Sequence, residues 1–456
     1  MRTAALSVLL VMACSSAGEL TPAAPMPTMD SQSAASDVPS EVEAMVKAID
    51  PAQLRATIEQ LVGFGPRHTL SVADDPKRGI GAAREAIAEH FRQSPRLRVE
   101  FDPHRIEPDG RRVDVPTDVV NVVATLPGSM PEAADRHYYV IGHYDSRVTD
   151  PMNRTADAPG ANDDGSGTAL VMELARVMSQ YEYDATIVFM ATAGEEQGLL
   201  GARAHARAAR EKGVDIRAVL SNDIVGDPSG PSGATHDEAV RVFSIALPPE
   251  PELGRLRTLA ATHDGESRQL ARYVHDIGRR HALPVQAKMV FRRDRFLRGG
   301  DHTAFNEVGF AAVRFSEVEE NYDRQHQDVR TEGDRSYGDL AEHVDVEYLA
   351  GVARLNAASL AHLANAPSSP AHARIVAAAL SHDTTMRWDA SPEPDVAGYE
   401  VVWRDTTAPQ WTDSKDVGTA LEATLPMSKD NVFFGVRAYD ADGYRSPVRF
   451  MEVAKE

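Results

Sequence analysis

Cysteine and basic side chains are scarce in this 456-residue sequence, and each shortage excludes a class of protein. Cys14 is the only cysteine, so no disulfide can form within the sequence and a cysteine-ligated zinc finger is excluded. Lysine and arginine number 48 against 68 aspartates and glutamates, which gives a net charge of −20. Such a chain lacks the basic surface that nucleic-acid binding requires. The hydrophobic fraction of 42% nevertheless suffices for a sizeable core.

An uninterrupted apolar run of the ~20 residues that a transmembrane helix needs is also missing. The first residues, MRTAALSVLLVMACSS, have one arginine, a short apolar run and then Cys14, a pattern typical of an export signal. Residues 1–14 resemble the signal and lipobox of bacterial lipoproteins, in which the cysteine is lipidated. We therefore expect a periplasmic or cell-envelope lipoprotein that contacts the membrane only through Cys14; a secreted protein is the alternative. Residues 15–40 predict a disordered linker, because Ser, Ala and Pro dominate them.

Short apolar runs alternate with helical patterns between residues 41 and 365. Buried strands are predicted at 138–142, 186–192, 218–225 and 311–315, and helices at 41–62, 166–180, 199–213 and 345–364. This alternation predicts an α/β fold with a mostly parallel, doubly wound sheet and helices on both faces.

The pattern changes after APSSPA at 365–370, which indicates a second domain. Short strands separated by turns predict a small all-β sandwich over 371–456. The segments WDASPEPDVAGYEVVWR and VRAYDADGYRS resemble a fibronectin type III module. Because such modules usually bind or space other domains, we expect the active site in the domain at 41–365.

Acidic side chains and one histidine lie where predicted strands end or a helix begins. They are His143 and Asp145, Asp163 and Asp164, Glu195 and Glu196, and Asp223. Ligands of open α/β sheets bind beyond the carboxyl ends of the strands, so these side chains should converge. Histidine together with carboxylates suits a divalent metal such as zinc, and this many carboxylates favours a pair of metals. Taken singly, each residue also fits a structural role, such as Asp164 as a helix cap.

The segments GHYDSR, GANDDGSG, GEEQGLLGA and SNDIVG resemble, in order and spacing, the motifs of the M28 family of co-catalytic zinc aminopeptidases. The resemblance covers roughly residues 50–365 and implies a zinc exopeptidase fold, two zinc ions per chain and peptide substrates. The implied roles are His143 and Asp223 as ligands of one zinc, Glu196 as a ligand of the other, Asp163 as the bridging carboxylate, Glu195 as general base and Asp145 as the acid that orients His143. A cis peptide between Asp163 and Asp164 is implied as well.

Two histidines compete for the last ligand position. His302 lies in RGGDHTAF and His326 in NYDRQHQDVR. We favour His326, because the family usually takes this ligand from the second segment. Asp301 and His302 would then support the ligands or line the substrate pocket.

The group that stabilises the oxyanion is also open, with Tyr322 and Arg298 as candidates. The arginine-rich segment FRRDRFLRGG either lines a pocket for carboxylate groups or is a solvated loop. Alternatives to the aminopeptidase are a carboxypeptidase or dipeptidase on the same scaffold, a one-zinc glutaminyl cyclase, and a binding protein on an inactive scaffold. The sequence predicts neither side-chain preference nor oligomeric state.

Overall fold

Residues 39–247, 264–377 and 381–454 are described by the structure, which is a computed structural model. The predicted signal, the lipidation site Cys14 and residues 15–38 of the predicted linker lie outside the described residues. Within those described ranges, no helix has both the length and the apolar character needed to span a bilayer.

Helices and strands are interspersed from residue 40 to residue 365. The helices are α1 (Ser40–Lys47), α2 (Pro51–Gly63), α3 (Gly79–Arg92), α4 (Gly165–Met178), α5 (Leu200–Glu211), α6 (Glu266–Arg280), α7 (His302–Glu307) and α8 (Val346–Asn365). The strands are β1 (Arg98–Ile106), β2 (Thr117–Leu126), β3 (Arg136–His143), β4 (Thr186–Thr192), β5 (Asp215–Asn222), β6 (Ala239–Ser244), β7 (Gln286–Val290) and β8 (Ala312–Ser316). A hairpin of β9 (Arg330–Glu332) and β10 (Arg335–Tyr337) and a 3-10 turn (Ala341–His343) precede α8.

Strands β1 to β8 form one sheet in the order β1-β2-β4-β3-β5-β8-β6-β7. Neighbours are parallel from β4 through β3 and β5 to β8, and again between β6 and β7. The remaining pairs are antiparallel, so the sheet as a whole is mixed. The prediction of a mostly parallel sheet is confirmed in its four central strands, whose carboxyl ends lie along one edge.

Successive residues of the central strands pack into separate cores on the two faces of the sheet. Val140 belongs to the core that includes Leu170 of α4, whereas Ile141 belongs to the core that includes Phe305 of α7. Because side chains alternate between faces, a strand covered on both sides needs apolar residues at every position. This explains the continuous apolar runs and confirms the predicted helices on both faces.

Two predicted elements differ most from the elements in the structure. The helix predicted over 41–62 is divided into α1 and α2, because Asp50 caps the Ala52 amide at 2.8 Å and Pro51 opens the second helix. The strand predicted over 218–225 ends at Asn222, since Ile224 adopts a positive φ of 61°. Asp223 is therefore not part of the strand and stands just beyond its carboxyl end.

Two four-stranded sheets follow α8. Their strands are β11 (Arg374–Val376), β12 (Thr384–Arg387), β13 (Val396–Asp405), β14 (Asp413–Asp416), β15 (Glu422–Leu425), β16 (Val432–Asp440), β17 (Arg449–Phe450) and β18 (Glu452–Ala454). The sheet orders are β15-β12-β11-β18 and β14-β13-β16-β17. Met386 of the first sheet and Val401 and Phe434 of the second share one core, so the sheets pack face to face. The resemblance to fibronectin type III and the domain bounds remain predictions.

Helix α6 and Asp264, two residues before it, bind the C-terminal sheets through buried polar contacts. Asp264 accepts two hydrogen bonds from Arg404, at 2.7 and 2.9 Å, and lies 2.8 Å from Arg272 of α6. Trp411 donates its indole N–H to Gln269 at 3.0 Å. Since charged groups are costly to bury without partners, these contacts tie the sheets firmly to α6.

Arg404→Ala should therefore destabilise the whole protein. Removing one partner of a buried ion pair costs about 3 kcal/mol, because the remaining carboxylate loses its bidentate partner. Chemical denaturation should show a lower midpoint. The matched control, Arg387→Ala, removes an exposed pair with Glu422 in the same sheets and should cost less than ~1 kcal/mol. Equal losses in the two variants would contradict the stabilising role of the α6 contact.

Candidate metal centre

Most residues of the predicted site lie at the carboxyl ends of three adjacent parallel strands. His143 ends β3, Glu195 and Glu196 follow β4, and Asp223 follows β5. The strands lie in the order β4-β3-β5, so their ends are neighbours. Asp163 reaches the same edge from the turn that opens α4. The structure thus brings these residues together at one edge of the sheet, as the sequence predicts.

The Asp163 carboxylate lies between two histidines and offers one oxygen to each. Its Oδ1 is 3.2 Å from His143 Nε2, and its Oδ2 is 2.8 Å from His326 Nε2. Asp223 Oδ1 lies 3.9 Å from His143 Nε2, and Glu196 Oε1 lies 3.0 Å from His326 Nε2. The arrangement therefore consists of two ligand sets that share one carboxylate.

Ligand atoms converge within 4.8 Å of one another in two groups. One group contains His143, Glu195 and Asp223, and the other contains Asp163, Glu196 and His326. The second group matches the predicted ligands of one zinc. In the first group, Glu195 stands close enough to be either a ligand or a proton acceptor beside one. Within the described residues these are the groups of three or more that could hold a metal.

Two buried atoms in the cluster fit a cation. His143 Nε2 and Glu196 Oε1 are shielded from solvent, and although each has a charged neighbour, at 3.2 and 3.0 Å, neither makes a well-aligned hydrogen bond within the described residues. Buried polar atoms are almost always hydrogen-bonded, so such atoms call for an explanation. Imidazole nitrogen and carboxylate oxygen are both ligands that zinc accepts. The residues present therefore fit a pair of zinc ions.

The acids of the cluster repel one another strongly. Burial raises the pKa of Glu195 well above its usual range, and the charges of Asp223, Glu196 and Asp301 raise it further. Burial likewise raises the pKa of Asp301 to about 7. A positive charge of several units would favour the ionised carboxylates, as two divalent cations would supply.

The pKa values of the two histidines in the cluster are also raised, which favours their charged forms. Burial alone would lower the pKa of His326, but Glu196 and Asp163 outweigh it and raise the value to about 10. The pKa of His143 is also raised, because Asp145 and Asp163 outweigh burial. For Asp163, the two histidines overcome burial and hold its pKa well below the usual range. The cluster thus attracts positive charge at both histidine positions.

Asp145 supports the centre in two ways. Its carboxylate accepts hydrogen bonds from the amides of Glu195 and Glu196, each at 3.3 Å, and from Thr69 Oγ1 at 2.8 Å. Nδ1 of His143 lies 3.0 Å from the Asp145 carbonyl oxygen and 3.5 Å from the carboxylate. The same residue therefore stands behind the imidazole and orders the loop with the two glutamates.

The turn before α4 contains the implied cis peptide between Asp163 and Asp164. Asp164 caps α4 by accepting the Gly167 amide at 2.9 Å, and it also accepts the His143 amide at 2.9 Å. Asp339 accepts the amides of Asn162 and Asp163, each at 2.8 Å. This turn is thus fixed from both sides, which sets the position of the shared carboxylate.

His302 lies away from the cluster, and His326 lies within it. The buried His302 ring donates from Nε2 to the Arg293 carbonyl at 2.9 Å. Burial lowers the pKa of His302 to about 4, which keeps the ring neutral. Asp301 is buried and accepts a hydrogen bond from Thr192. The structure therefore places His326, and not His302, among the converging ligand atoms, and His326 adopts a positive φ of 54°.

Arg298, a candidate for oxyanion stabilisation, reaches a ligand through Gln325, and the other candidate, Tyr322, lies beyond Arg298. Arg298 donates to Gln325 Oε1 at 3.0 Å, and Gln325 donates to Asp163 Oδ2 at 2.9 Å. The Tyr322 ring is 5.8 Å from the Arg298 guanidinium and 60% exposed. Their roles in the reaction remain predictions.

Sequence reasoning missed two arginines that hold the carboxylates. Arg147 donates to Glu196 Oε2 at 2.8 Å, and its guanidinium is 2.6 Å from His326 Nδ1. Arg314 is fully buried, and its Nη2 lies 2.9 Å from Asp223 Oδ1. Both had a signal in the sequence: Arg147 ends the GHYDSR motif, and Arg314 is the single charge in the apolar run AAVRF. Asp339, in a loop, had none.

Comparison with known proteins agrees with this geometry. A model of peptidase family M28 matches residues 121–346. A protein of Pyricularia oryzae named probable zinc metalloprotease is 44% identical over 422 residues, which cover 90% of this chain and 84% of that protein. One of Leptosphaeria maculans, named likewise, is 43% identical and covers 89% of this chain and 96% of its own length. The aminopeptidase from Aneurinibacillus sp. strain AM-1 has a similar fold, with a TM-score of 0.51 at 16% identity, covering 71% of this chain and 96% of that one. The chain therefore belongs to peptidase family M28.

Proposed function

We propose that this chain is a zinc-dependent aminopeptidase that hydrolyses N-terminal residues from peptides and holds two zinc ions. The observation that carries the proposal is the Asp163 carboxylate, with one oxygen toward His143 and the other toward His326. Two metals bridged by one carboxylate suit the activation of water for hydrolysis. Membership of family M28 and the names of the fungal relatives support peptides as the substrates.

Two ligand sets would hold the metals. His143, Asp163 and Asp223 would bind one ion, and Asp163, Glu196 and His326 the other. When bound, zinc would supply Lewis acidity, which would make a water molecule far more acidic than in bulk and polarise a peptide carbonyl. Arg314 and Arg147 orient the carboxylates of Asp223 and Glu196, so these groups need little rearrangement.

Glu195 is the proposed proton carrier. It accepts a proton from the attacking water and donates it to the leaving amine. Asp145 fixes its backbone amide at 3.3 Å, which keeps the side chain at the sheet edge beside Asp223 and His143. The aminopeptidase from Aneurinibacillus sp. strain AM-1 has a similar fold, which favours an aminopeptidase over a carboxypeptidase.

The remaining predictions concern the ends of the chain. We propose export as a lipoprotein anchored at Cys14, on the basis of the N-terminal motif. We also propose a fibronectin type III-like module over 371–456, supported by its two face-to-face sheets.

Glu195→Gln should lower kcat for an aminoacyl p-nitroanilide about 10²- to 10⁴-fold, because the amide cannot accept the proton. Zinc content, measured by elemental analysis, should stay at the wild-type level, since Glu195 is not an assigned ligand. The exposed Glu211→Gln is the matched control and should leave kcat unchanged. Wild-type kcat in Glu195→Gln would exclude the proposed base.

An N-acetylated peptide should not be cleaved, and its rapid cleavage would exclude an aminopeptidase.

His326→Ala should bind one zinc ion instead of two, whereas His302→Asn should keep both. Elemental analysis after dialysis measures this stoichiometry directly. Zinc should also raise the melting temperature of the metal-free wild type, because ~100 times the Kd contributes about 2.7 kcal/mol. That increase should be smaller in His326→Ala. A one-zinc His302→Asn protein with native circular dichroism would instead assign the last ligand to His302.

A further inference from the structure

Exposed apolar side chains are concentrated in two segments that also carry residues of the metal centre or its neighbours. Nine large hydrophobic residues are exposed in the described part of the chain, and five of them lie between residues 291 and 329. These five are Phe291, Phe296, Leu297, Tyr322 and Val329. Scattered single exposures need no explanation, but a cluster of this kind marks a contact surface.

Both segments that carry these residues adjoin the centre. The loop 291–301, which we name the lip, contains Gly300, where a Cβ would lie only 3.0 Å from Asp223 Oδ2. The segment 321–329 contains Gln325, which donates to Asp163, and His326. A molecule in contact with the lip would therefore extend directly into the site of hydrolysis.

Buried ion pairs anchor the base of the lip. Arg314 contacts Asp294 Oδ2 at 3.2 Å and donates to the Gly299 carbonyl at 2.8 Å, while it also holds Asp223. Arg295 pairs with Glu320 at 2.5 Å. Because Arg314 serves both the lip and Asp223, the position of the lip is set relative to the centre.

The tip of the lip is exposed and strained. Phe296 is 78% exposed, and Leu297 is fully exposed with a φ of 57°, a region that bulky residues rarely adopt. A leucine in this conformation costs stability, and here no burial compensates it. Strain of this kind persists where it positions a side chain for contact with another molecule.

Cations flank the tip. The Arg292 guanidinium lies 3.9 Å from the centre of the Phe296 ring, and the neighbouring Arg293 is also exposed. In a chain with a net charge of −20, this local positive charge complements a carboxylate, such as the C-terminus of a short peptide. A peptide bound at its amino terminus would present such a ligand at its far end, where apolar side chains precede the C-terminal carboxylate.

We propose that the lip binds the part of a peptide substrate beyond the scissile bond and selects large apolar side chains there through Phe296 and Leu297. The proposal rests on the proposed aminopeptidase function and adds a substrate preference to it. Apolar contact with two side chains of this size accounts for about a tenfold change in kcat/KM.

The test compares two peptides with the same amino-terminal residue, Leu-Phe-Leu and Leu-Gly-Gly. Release of the first leucine should be faster for Leu-Phe-Leu in the wild type. In F296S/L297S, the ratio of the two kcat/KM values should fall about tenfold, mainly through KM for Leu-Phe-Leu. The matched control, Leu421→Ser, replaces an exposed leucine of the C-terminal sheets and should keep the wild-type ratio.

Several results would overturn the proposal. An unchanged ratio in an active F296S/L297S enzyme would refute the lip alone and leave the aminopeptidase standing. No hydrolysis of either peptide by the zinc-loaded wild type would refute the aminopeptidase, and the lip with it. If the ratio is unchanged but the double variant alters the sedimentation coefficient, or loses binding to phosphatidylglycerol vesicles, the surface contacts a second copy or a membrane instead.

Discussion

The shared carboxylate of Asp163 is the constraint on which the rest of the centre depends. It lies 3.2 Å from one histidine and 2.8 Å from the other, so a change in its position would disturb both ligand sets at once. Its amide is fixed by Asp339, and Gln325 donates to its Oδ2. The adjacent Asp164 ties the turn to the start of α4 and to the His143 amide. These hydrogen bonds therefore fix the backbone around Asp163.

Burial of so many acids next to one another would be costly without compensation. Two arginines provide part of it, but in different ways. Arg314 is fully buried and divides its charge between Asp223 and Asp294, whereas the partly exposed Arg147 pairs with Glu196. His143 Nε2 and Glu196 Oε1 make no well-aligned hydrogen bond within the described residues, so these arginines do not satisfy the whole cluster. The cluster therefore retains a demand for positive charge, which supports the proposed pair of zinc ions.

Much of the site was predictable because its motifs are local. His143, Glu195, Glu196 and Asp223 each follow an apolar run of a central strand, and the order of parallel strands brings such ends together. The edges of the sheet were less predictable. Strand β1 pairs antiparallel with β2, and its sequence RVEFDPHRI mixes polar with apolar residues, so it lacks the continuous apolar signal of a strand buried on both faces.

The contacts that order the centre were harder to predict, since they join residues far apart in the chain. Asp339 bonds to Asp163 from a loop with no motif, and Arg314 meets Asp223 only because β8 pairs with β5. The choice between His302 and His326 depended on family resemblance and not on spacing. The structure separates them because His302 starts α7 and turns into the protein, where its ring bonds to the Arg293 carbonyl.

Contacts between residues far apart in the chain also connect the C-terminal sheets to the lip. Arg404 of β13 holds Asp264, Asp264 holds Arg272 of α6, and the Arg272 guanidinium lies 5.2 Å from the ring of Phe291, where the lip begins. Arg268 of α6 also donates to the Phe291 carbonyl at 2.9 Å. Helix α6 thus stands between the two regions and contacts both. A C-terminal module that only spaced the enzyme from a surface would not need buried ion pairs to α6. Their presence means that the sheets support the helix from which the lip is held, so the module contributes to the architecture around the active site.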